Sequence, residues 1–292
     1  MDTPETTIVE KTNPSSQIST PNNAKEMGVL DHLEELRWHI IRAVLAILVF
    51  TVVAFVGKDI VFGKIILGPS KINFLTYQFF CKMSSITCID TLPFIIQNRV
   101  MTGQFTMHIA ASIAFGFICA FPYVFWELWR FVAPALYQDE KQTARGATFF
   151  VSLLFAIGIF FGYFLISPLS INFLSNYQVD PTILNEIDIS SYVTTVTMLT
   201  LGCGLMFQLP IVVFFLSQVG IVTPEIMKAY RKHSIVVILF ISALITPPDV
   251  ISQCLIGIPI WVLYEMSILI SASIQRKRNA TLAKMENTNA VS

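Results

Sequence analysis

Charged residues are scarce in this 292-residue chain. They make up 13% of the sequence, against roughly 25% in a typical soluble domain. Hydrophobic residues make up 54%, and a soluble globule of this length has too little polar surface to cover so many apolar side chains. The formal net charge is zero, which excludes a strongly basic nucleic-acid-binding protein. The class that remains is a polytopic membrane protein.

Metal-ligand and catalytic motifs are missing as well. The five cysteines include no Cys-x-x-Cys pair, and the four histidines include no His-x-x-x-His pair, so metal-ligand spacing is absent. There is no glycine-rich phosphate loop, no Gly-x-Ser-x-Gly and no His-Glu-x-x-His. We therefore expect no enzymatic activity, no metal and no cofactor.

Six apolar segments are candidates for membrane-spanning helices, each of which needs about 20 apolar residues. They are residues 38–56, 107–126, 147–168, 193–219, 234–246 and 250–273. The fifth is short, because it ends before Pro247 and Pro248. We expect it to form a tight hairpin with the sixth, so that both cross a thinned bilayer. A segment that enters only half of the membrane is the alternative.

The distribution of lysine and arginine predicts the orientation of these spans. If both termini are cytoplasmic, 14 of the 19 basic residues lie inside, and the other five lie in one long outer loop, residues 58–106. We therefore expect both termini in the cytoplasm. Residues 1–27 are polar and lack an apolar period, which indicates a flexible tail and not a signal peptide. A second, basic flexible tail is expected at 276–292, around a membrane domain at 28–275.

The long outer loop contains two cysteines, Cys81 and Cys88, with six residues between them. In an oxidising compartment this pair would close a small disulfide loop. Two free thiols are the alternative.

Acidic residues cluster in two segments that this topology places in the cytoplasm. In the first, Asp31 and Glu34 form a pattern like a capping box, which leaves Glu35 less well explained because it lies just before the membrane. The second segment follows span two and contains aromatic residues typical of a membrane interface. There Glu127 and Arg130, three residues apart, are spaced to pair on one helix face. Ordinary helix-start charge is the alternative explanation for the acids.

Several segments, in the same order along the chain, resemble the twin-arginine translocase subunit TatC. They are HLEELR at 32–37, FPYVFWELWRFVAPALYQDEK at 121–141, FGYFLISPLSINFL at 161–174, FQLPIVV at 207–213, GIVTPEIMKAYRKH at 220–233 and ITPPDVISQ at 245–253. The resemblance covers roughly residues 28–275. It implies an all-α integral membrane protein with six spans, cytoplasmic termini, two short final helices and a concave bundle.

The resemblance also implies a receptor for signal peptides that carry two consecutive arginines. Acids of this family contact the arginine pair, and the matching residues here are Glu35 and Glu140. Guanidinium groups form charge-assisted bidentate pairs with carboxylates, which distinguishes arginine from lysine. The resemblance also implies that Phe131 and Arg37, the latter within the HLEELR motif, help to bind the signal peptide. Pro69 matches another position that the family uses. We expect Glu35 and Glu140 to lie close together, because one arginine pair has to reach both.

The remaining expectations of the resemblance concern transport and assembly. The chain would work in the bacterial inner membrane with TatA- and TatB-type single-span subunits and further TatC copies, driven by the proton-motive force. Gln208 occupies a position where many members have glutamate, and with Pro210 it is a candidate contact for a partner helix. An internal hydrogen bond of Gln208 is the alternative. Further polar candidates with structural or functional roles are Asp249, Gln253 and Glu265.

Two other functional classes compete with a receptor. The first is a proton-coupled secondary transporter that uses Glu265 and Gln208, although no internal repeat is visible and many transporters are duplicated. The second is an intramembrane hydrolase, which would need a catalytic dyad within the spans. Binding of a twin-arginine peptide, compared with its twin-lysine version, separates the receptor from both.

Overall fold

The computed structural model describes residues 29–83, 92–136, 141–180, 182–183, 185–246 and 250–291. The α-helices are α1 (Val29–Val56), α2 (Lys58–Ile60), α3 (Leu75–Met83), α4 (Gly103–Leu136), α5 (Lys141–Phe161), α6 (Ser167–Asn176), α7 (Ile189–Met206), α8 (Leu209–Val219), α9 (Pro224–Ala229), α10 (Arg231–Ile245) and α11 (Val250–Val291). Two π-helices, π1 (Val61–Ile66) and π2 (Gly162–Ile166), and two strands, β1 (Ile95–Gln97) and β2 (Glu186–Asp188), complete the described elements.

Five helical stretches of the described residues are long and apolar enough to cross a membrane. They are Glu34–Val56, Gly103–Phe131, Thr148–Asn176, Ile189–Val219 and Ser252–Ala280. Each overlaps one of the six predicted spans. The predicted fifth span corresponds to α10, which has only 15 residues and is therefore shorter than the bilayer core requires.

Helices α1 and α4 run antiparallel and pack along most of their length. Their closest approach is at Gly116 of α4, where an added Cβ would lie 2.4 Å from the hydroxyl oxygen of Thr51. Only a residue without a side chain permits this distance between the two backbones. Phe55 stacks on His108 near one end of the pair, with ring centroids 4.2 Å apart. Near the other end of the pair, His39 of α1 contacts Glu127 of α4.

Helix α7 lies at the centre of the molecule and contributes to two buried clusters. In one cluster Leu199 and Cys203 pack against Ile166 of π2 and Ile256 of α11. In the other, Tyr192, Val193 and Val196 of α7 pack against Ile66 and Ala111. Helix α7 carries buried residues on several faces, so protein covers most of it, while Met198 and Leu205 lie on an exposed stripe that faces the apolar layer.

Strands β1 and β2 form a two-stranded parallel sheet in the register Ile95–Glu186, Ile96–Ile187 and Gln97–Asp188. An ion pair between Arg99 and Glu186, with nitrogen and oxygen 3.2 Å apart, closes one side of it. We call this end of the bundle the sheet end. Helix α1 ends there, at Val56, whereas α8 ends at the opposite end, at Val219. The strands have three residues each, too few for a period-two pattern to be recognised in the sequence.

Buried tyrosines hold the backbone together near the sheet end. The Tyr77 hydroxyl donates to the carbonyls of Pro69 and Pro168, at 2.9 and 3.1 Å. The Tyr163 and Tyr192 hydroxyls donate to the carbonyls of residues 65 and 66 in π1. Burial raises the pKa of Tyr77 well above its usual value. These bonds satisfy carbonyl groups that an irregular buried backbone would otherwise leave without partners.

The fourth predicted span, residues 193–219, lies within the membrane-crossing stretch Ile189–Val219, which consists of two helices, α7 and α8. Helix α7 ends at Met206 and α8 begins at Leu209, with a turn at Phe207 and Gln208 between them. Pro210 lies in the first turn of α8, where its missing N–H and fixed φ angle are tolerated. The structure therefore divides in two a span that was predicted as one continuous helix at 193–219.

Helices α10 and α11 pack against each other, and α10 ends beside the middle of α7. Ile245, its last residue, contacts Gly202, which lies 13 residues into α7. At 1.5 Å per residue, α10 therefore stops about 20 Å short of the sheet end of α7. The short fifth helix is present, whereas the connecting residues 247–249 lie outside the described residues.

The last helix differs from the sequence prediction. Two short final helices were expected, followed by a flexible tail at 276–292, but α11 has 42 residues and continues to Val291. Residues 276–291 contain alanine, lysine, arginine, leucine and methionine and lack glycine and proline. These residues have high helix propensity, so nothing in the sequence ends the helix after the apolar stretch. The predicted tail at 1–27 lies outside the described residues.

Candidate functional site

A buried polar contact joins α1 to α4 at the end opposite the sheet. The Nδ1 atom of His39 lies 2.5 Å from the Oε2 atom of Glu127. The two residues are only 7% and 2% exposed, respectively. Because a buried carboxylate is costly unless it is paired and hydrogen-bonded, this contact fixes how the two helices meet.

Three residues of α4 surround the carboxylate of Glu127 and the helix end beyond it. The Tyr123 hydroxyl donates to Oε1 of Glu127 at 2.9 Å. The Arg130 guanidinium lies 3.9 Å from the same oxygen and is also stacked over the Trp126 ring, 4.9 Å from its centroid. The predicted Glu127–Arg130 pair is therefore present, but it is long, and Glu127 is bound more closely by His39.

Glu35 lies one helical turn before His39 on α1. A separation of four residues corresponds to about 6 Å along the axis and about 40° around it. The Glu35 side chain is exposed, and it therefore projects from nearly the same face as His39, beyond the contact with α4. Glu34, which is also exposed, is turned about 140° away from His39.

Arg37 and Phe131 occupy different positions relative to this contact. Arg37 is exposed and lies about 160° around α1 from His39, so it faces away from α4. Phe131 is half-buried, and its ring centroid lies 6.2 Å from that of His39. The structure therefore brings Phe131 and the turn that carries Glu35 to the same end of the α1–α4 pair. Glu140 lies outside the described residues.

Gln208 lies at the break between α7 and α8. Its Nε2 atom donates two long hydrogen bonds, to the carbonyls of Val151 at 3.4 Å and Gly204 at 3.5 Å. Its Oε1 atom is buried and has no hydrogen-bond partner among the described residues. The predicted internal bond is thus present on the donor side, while the acceptor remains available for another group. Pro210, two residues later, is buried.

The other polar candidates have identified structural contacts. Pro69 is fully buried, and its carbonyl accepts the Tyr77 hydroxyl. Gln253 donates from Nε2 to the carbonyl of Leu239 at 2.9 Å and so ties α11 to α10. Glu265 forms a 2.6 Å ion pair with Arg231. Asp249 lies outside the described residues.

The cysteines divide into two groups. Cys81 is disulfide-bonded, whereas Cys119, Cys203 and Cys254 are free thiols. Cys88 lies outside the described residues, so the Cys81–Cys88 pairing stays a prediction. Among the described residues no three histidine, cysteine, aspartate or glutamate side chains come close enough to hold a metal ion.

Sequence reasoning missed His39 as a partner of Glu127. The two residues are 88 positions apart, and only the packing of α1 on α4 brings them together. One feature of the sequence could have indicated the contact. His39 and Glu127 are both ionisable residues at the end of an apolar span, and a charge that is buried there needs a partner. The sequence alone did not show which partner each would have.

Comparisons with known proteins agree with this architecture. The family described as Sec-independent protein translocase protein (TatC) matches residues 31–259. A TatC protein of Blattabacterium sp. subsp. Periplaneta americana is 34% identical over 264 residues, which cover 88% of this chain and 99% of that protein. A TatC protein of Aquifex aeolicus is 32% identical over 253 residues, covering 86% and 98%, respectively.

A solved structure is similar as well. The crystal structure of a twin-arginine translocase receptor, TatC, superposes with a TM-score of 0.70 at 31% sequence identity, covering 84% of this chain and 99% of that one. The matched family region contains both halves of the His39–Glu127 contact and the break at Gln208. The resemblance noted in the sequence is therefore confirmed, and the chain belongs to the TatC family of Sec-independent protein translocase proteins.

Proposed function

We propose that this chain is the signal-peptide receptor and core subunit of a twin-arginine translocation system, which exports folded proteins across the membrane using the proton-motive force. Family membership carries the proposal, since both the family match and the superposed receptor structure extend over most of the chain. The protein acts by binding and not by catalysis. It needs no cofactor.

The arginine pair of the signal peptide binds at the end of the α1–α4 pair, where Glu35 and Glu140 supply the carboxylates. Glu35 is exposed and projects beyond the His39–Glu127 contact, which orients the turn that carries it. Helix α4 continues to Leu136, four residues before Glu140, and so carries the chain toward the same end. Two carboxylates there match two guanidinium groups in charge and hydrogen-bonding geometry.

The residues around these carboxylates complete the site. Phe131 offers an aromatic surface beside His39, suitable for the guanidinium planes or for apolar side chains of the peptide. Arg37 faces away from α4 and lies at the rim of the site. Its positive charge disfavours a peptide bound on that side of α1, because two cations repel each other.

We place the protein in the bacterial inner membrane with six spans, cytoplasmic termini and a concave bundle. Of the 17 described lysines and arginines, five lie at the sheet end, in residues 58–99, and 12 lie toward the opposite end, and an excess of basic residues is typical of the cytoplasmic side. A total of six spans requires that α10, the fifth, also crosses the membrane, and its 15 residues cross only a bilayer thinned beside it.

TatA- and TatB-type single-span subunits and other TatC copies are the proposed partners. Their binding site includes Gln208 and Pro210, where the α7–α8 break leaves the Oε1 atom of Gln208 without a described partner. A polar side chain of a partner helix would supply the missing donor.

The rival transporter reading finds little support in the spans. Glu265, which it would use as a proton carrier, pairs with Arg231, and Glu127 pairs with His39. Gln208 does not ionise at all. These observations favour the receptor.

Peptide binding to the purified protein tests the proposal. We expect a twin-arginine signal peptide to bind and its twin-lysine version to bind at least about tenfold more weakly, because lysine cannot form bidentate pairs. Equal affinities for the two peptides, or no binding of either, would contradict the receptor assignment.

A further inference from the structure

A cavity of about 450 Å³ opens at the sheet end, between α2 with π1 on one side and the first turns of α4 and α7 on the other. Four polar side chains line it, from Lys58, Asp59, Gln104 and His108. Two aromatic side chains, from Phe62 and Phe105, form its apolar walls. The volume is within the usual range for small-ligand sites, about 300–1,000 Å³.

The cavity lies at the depth of a membrane surface. One candidate span ends at Val56, and two others begin at Gly103 and Ile189, so their ends mark one boundary of the apolar layer. Lys58 and Asp59 follow just beyond that boundary. Phe105 is 62% exposed and lies within the apolar layer, where acyl chains cover it.

The cavity carries one positive and one negative side chain next to each other. Lys58 and Asp59 are both exposed. Neither forms an ion pair or hydrogen bond with another residue in the part of the chain that the structure describes. Two unpaired opposite charges at one opening suit a ligand that carries both signs itself.

His108 contributes a polar atom that lacks a partner. Its ring is stacked on Phe55, at a centroid distance of 4.2 Å, and meets the edge of Phe62 at 6.4 Å. The Nε2 atom is buried and has no hydrogen-bond partner among the described residues. Gln104 lies one turn earlier on the same face of α4, so its amide and the imidazole line the cavity together.

We propose that this cavity binds the zwitterionic headgroup of a phospholipid, of the phosphoethanolamine type. The Lys58 ammonium pairs with the phosphate, and the Asp59 carboxylate pairs with the primary ammonium. Gln104 offers hydrogen bonds to the polar headgroup, the His108 ring forms part of the wall, and Phe62 and Phe105 lie against the glycerol and the first acyl carbons. This inference is independent of the receptor function.

The headgroup distinguishes phosphatidylethanolamine from phospholipids with choline or glycerol headgroups. A choline headgroup has the same charges, but its quaternary nitrogen has no N–H to donate to Asp59. A phosphoglycerol headgroup has no cation, so Asp59 would repel it. Free inorganic phosphate has no acyl chains and no ammonium group.

Native mass spectrometry of the full-length, delipidated protein tests the proposal, using lipids with identical acyl chains. We expect phosphatidylethanolamine to bind about three- to fivefold more tightly than the phosphatidylcholine or phosphatidylglycerol counterpart, the range that one exposed ion pair supports. Asp59→Asn should abolish this preference. Lys58→Gln should weaken the binding of all three lipids, because all three contain the phosphate. Lys64→Gln is the matched control, because Lys64 is exposed in π1 but does not line the cavity.

Gly63 permits a second variant that does not remove a charge. Gly63 lines the cavity, and a Cβ added there meets no other atom within 4 Å, so Gly63→Leu should fill the cavity without displacing protein atoms. We expect this variant to lose bound phosphatidylethanolamine while its thermal stability in detergent is kept. Unchanged lipid binding in Gly63→Leu and Asp59→Asn would overturn the proposal. A preference for phosphatidylglycerol, or equal competition by inorganic phosphate, would overturn it too, since either shows a site for a simple anion.

Discussion

Glu127 is almost fully buried at a helix end and is held by groups from two helices, His39 of α1 and Tyr123 and Arg130 of α4. Removing one partner of such a group leaves the other as a buried polar group without compensation. The turn that carries Glu35 lies directly beyond this contact. We therefore expect substitutions at His39 and Glu127 to affect both the stability of the protein and the geometry of the proposed receptor site.

Replacing Glu127 with leucine should lower the free energy of unfolding by about 3–5 kcal/mol, the usual cost of breaking a buried pair. The double variant His39→Leu/Glu127→Leu should be more stable than Glu127→Leu alone, because it leaves no unpaired imidazole. Thermal unfolding in detergent measures both effects. Additive losses in the double variant would mean that the two side chains do not interact.

A second prediction at the residue scale concerns Asp188, which caps α7. Its carboxylate accepts backbone N–H groups of Ser190 at 2.8 Å and Arg99 at 3.1 Å. The Ser190 bonds, followed by that from Arg99, lower the pKa of Asp188. Since the folded pKa is below the unfolded value, Asp188 stabilises the fold at pH values above about 4, and this contribution is lost as the pH falls through the folded pKa.

The Asp188→Asn variant should therefore show a weaker fall in melting temperature between about pH 5 and pH 2 than the wild-type protein. Asp59→Asn is a suitable control, because Asp59 is exposed and forms no ion pair or hydrogen bond with another described residue. If the melting temperature of Asp188→Asn falls with pH as steeply as that of the wild-type protein, other carboxylates account for the loss of stability in acid.

At the scale of helices, the sequence predicted the spans better than their ends or contacts. Long apolar runs located all five candidate spans, because a bilayer imposes the length and composition of a helix that crosses it. The turn at Phe207 and Gln208, which divides the fourth span into α7 and α8, was not predicted, although a proline such as Pro210 loosens a helix locally. The π-helices, the short strands and the continuation of α11 to Val291 depend on tertiary packing or on the absence of a stop signal, and were not predicted.

The same limit applies to the candidate site. Glu35, Glu140 and Phe131 came from motif resemblance, which reports positions along the chain and not which side chains meet. The contact between His39 and Glu127 came only from the structure, because antiparallel packing brings together residues 88 positions apart. Glu265 was visible in the sequence as an ionisable residue within a span, but its Arg231 partner lies on another helix.

The α7–α8 break supports a prediction about assembly. We expect Gln208→Leu to weaken association with a TatB-type subunit by about 1 kcal/mol, roughly fivefold, because it removes one hydrogen bond within the bilayer. Gln208→Glu should be tolerated, since many members of the family have that acid. Co-purification with the partner subunit measures the effect, and twin-arginine peptide binding should persist in both variants. Complete loss of transport in Gln208→Glu at normal protein levels would contradict this role.

At the scale of the whole molecule, the sheet end and the opposite end have different chemistry. The sheet end contains the β1–β2 pair, buried tyrosines and the disulfide-bonded Cys81. The opposite end contains arginines and the His39–Glu127 contact. This asymmetry fits a protein whose sheet end faces an oxidising compartment and whose opposite end faces the cytoplasm.

Thiol labelling of intact cells tests this orientation together with the disulfide. A membrane-impermeant maleimide should leave Cys81 and Cys88 unmodified before reduction and should label both from outside after reduction. Labelling of both without a reductant would refute the Cys81–Cys88 bond. Labelling only after the membrane is broken would reverse the orientation.

We propose that Glu35 binds the arginine pair of a signal peptide. The most direct measurement compares the affinities of twin-arginine and twin-lysine peptides for the wild-type protein, Glu35→Gln and Glu34→Gln. Both glutamates are exposed neighbours on α1, but only Glu35 projects from nearly the same face as His39. We expect Glu35→Gln to lose most of the preference for arginine and Glu34→Gln to keep it. An unchanged preference in Glu35→Gln, or an equal loss in both variants, would contradict it.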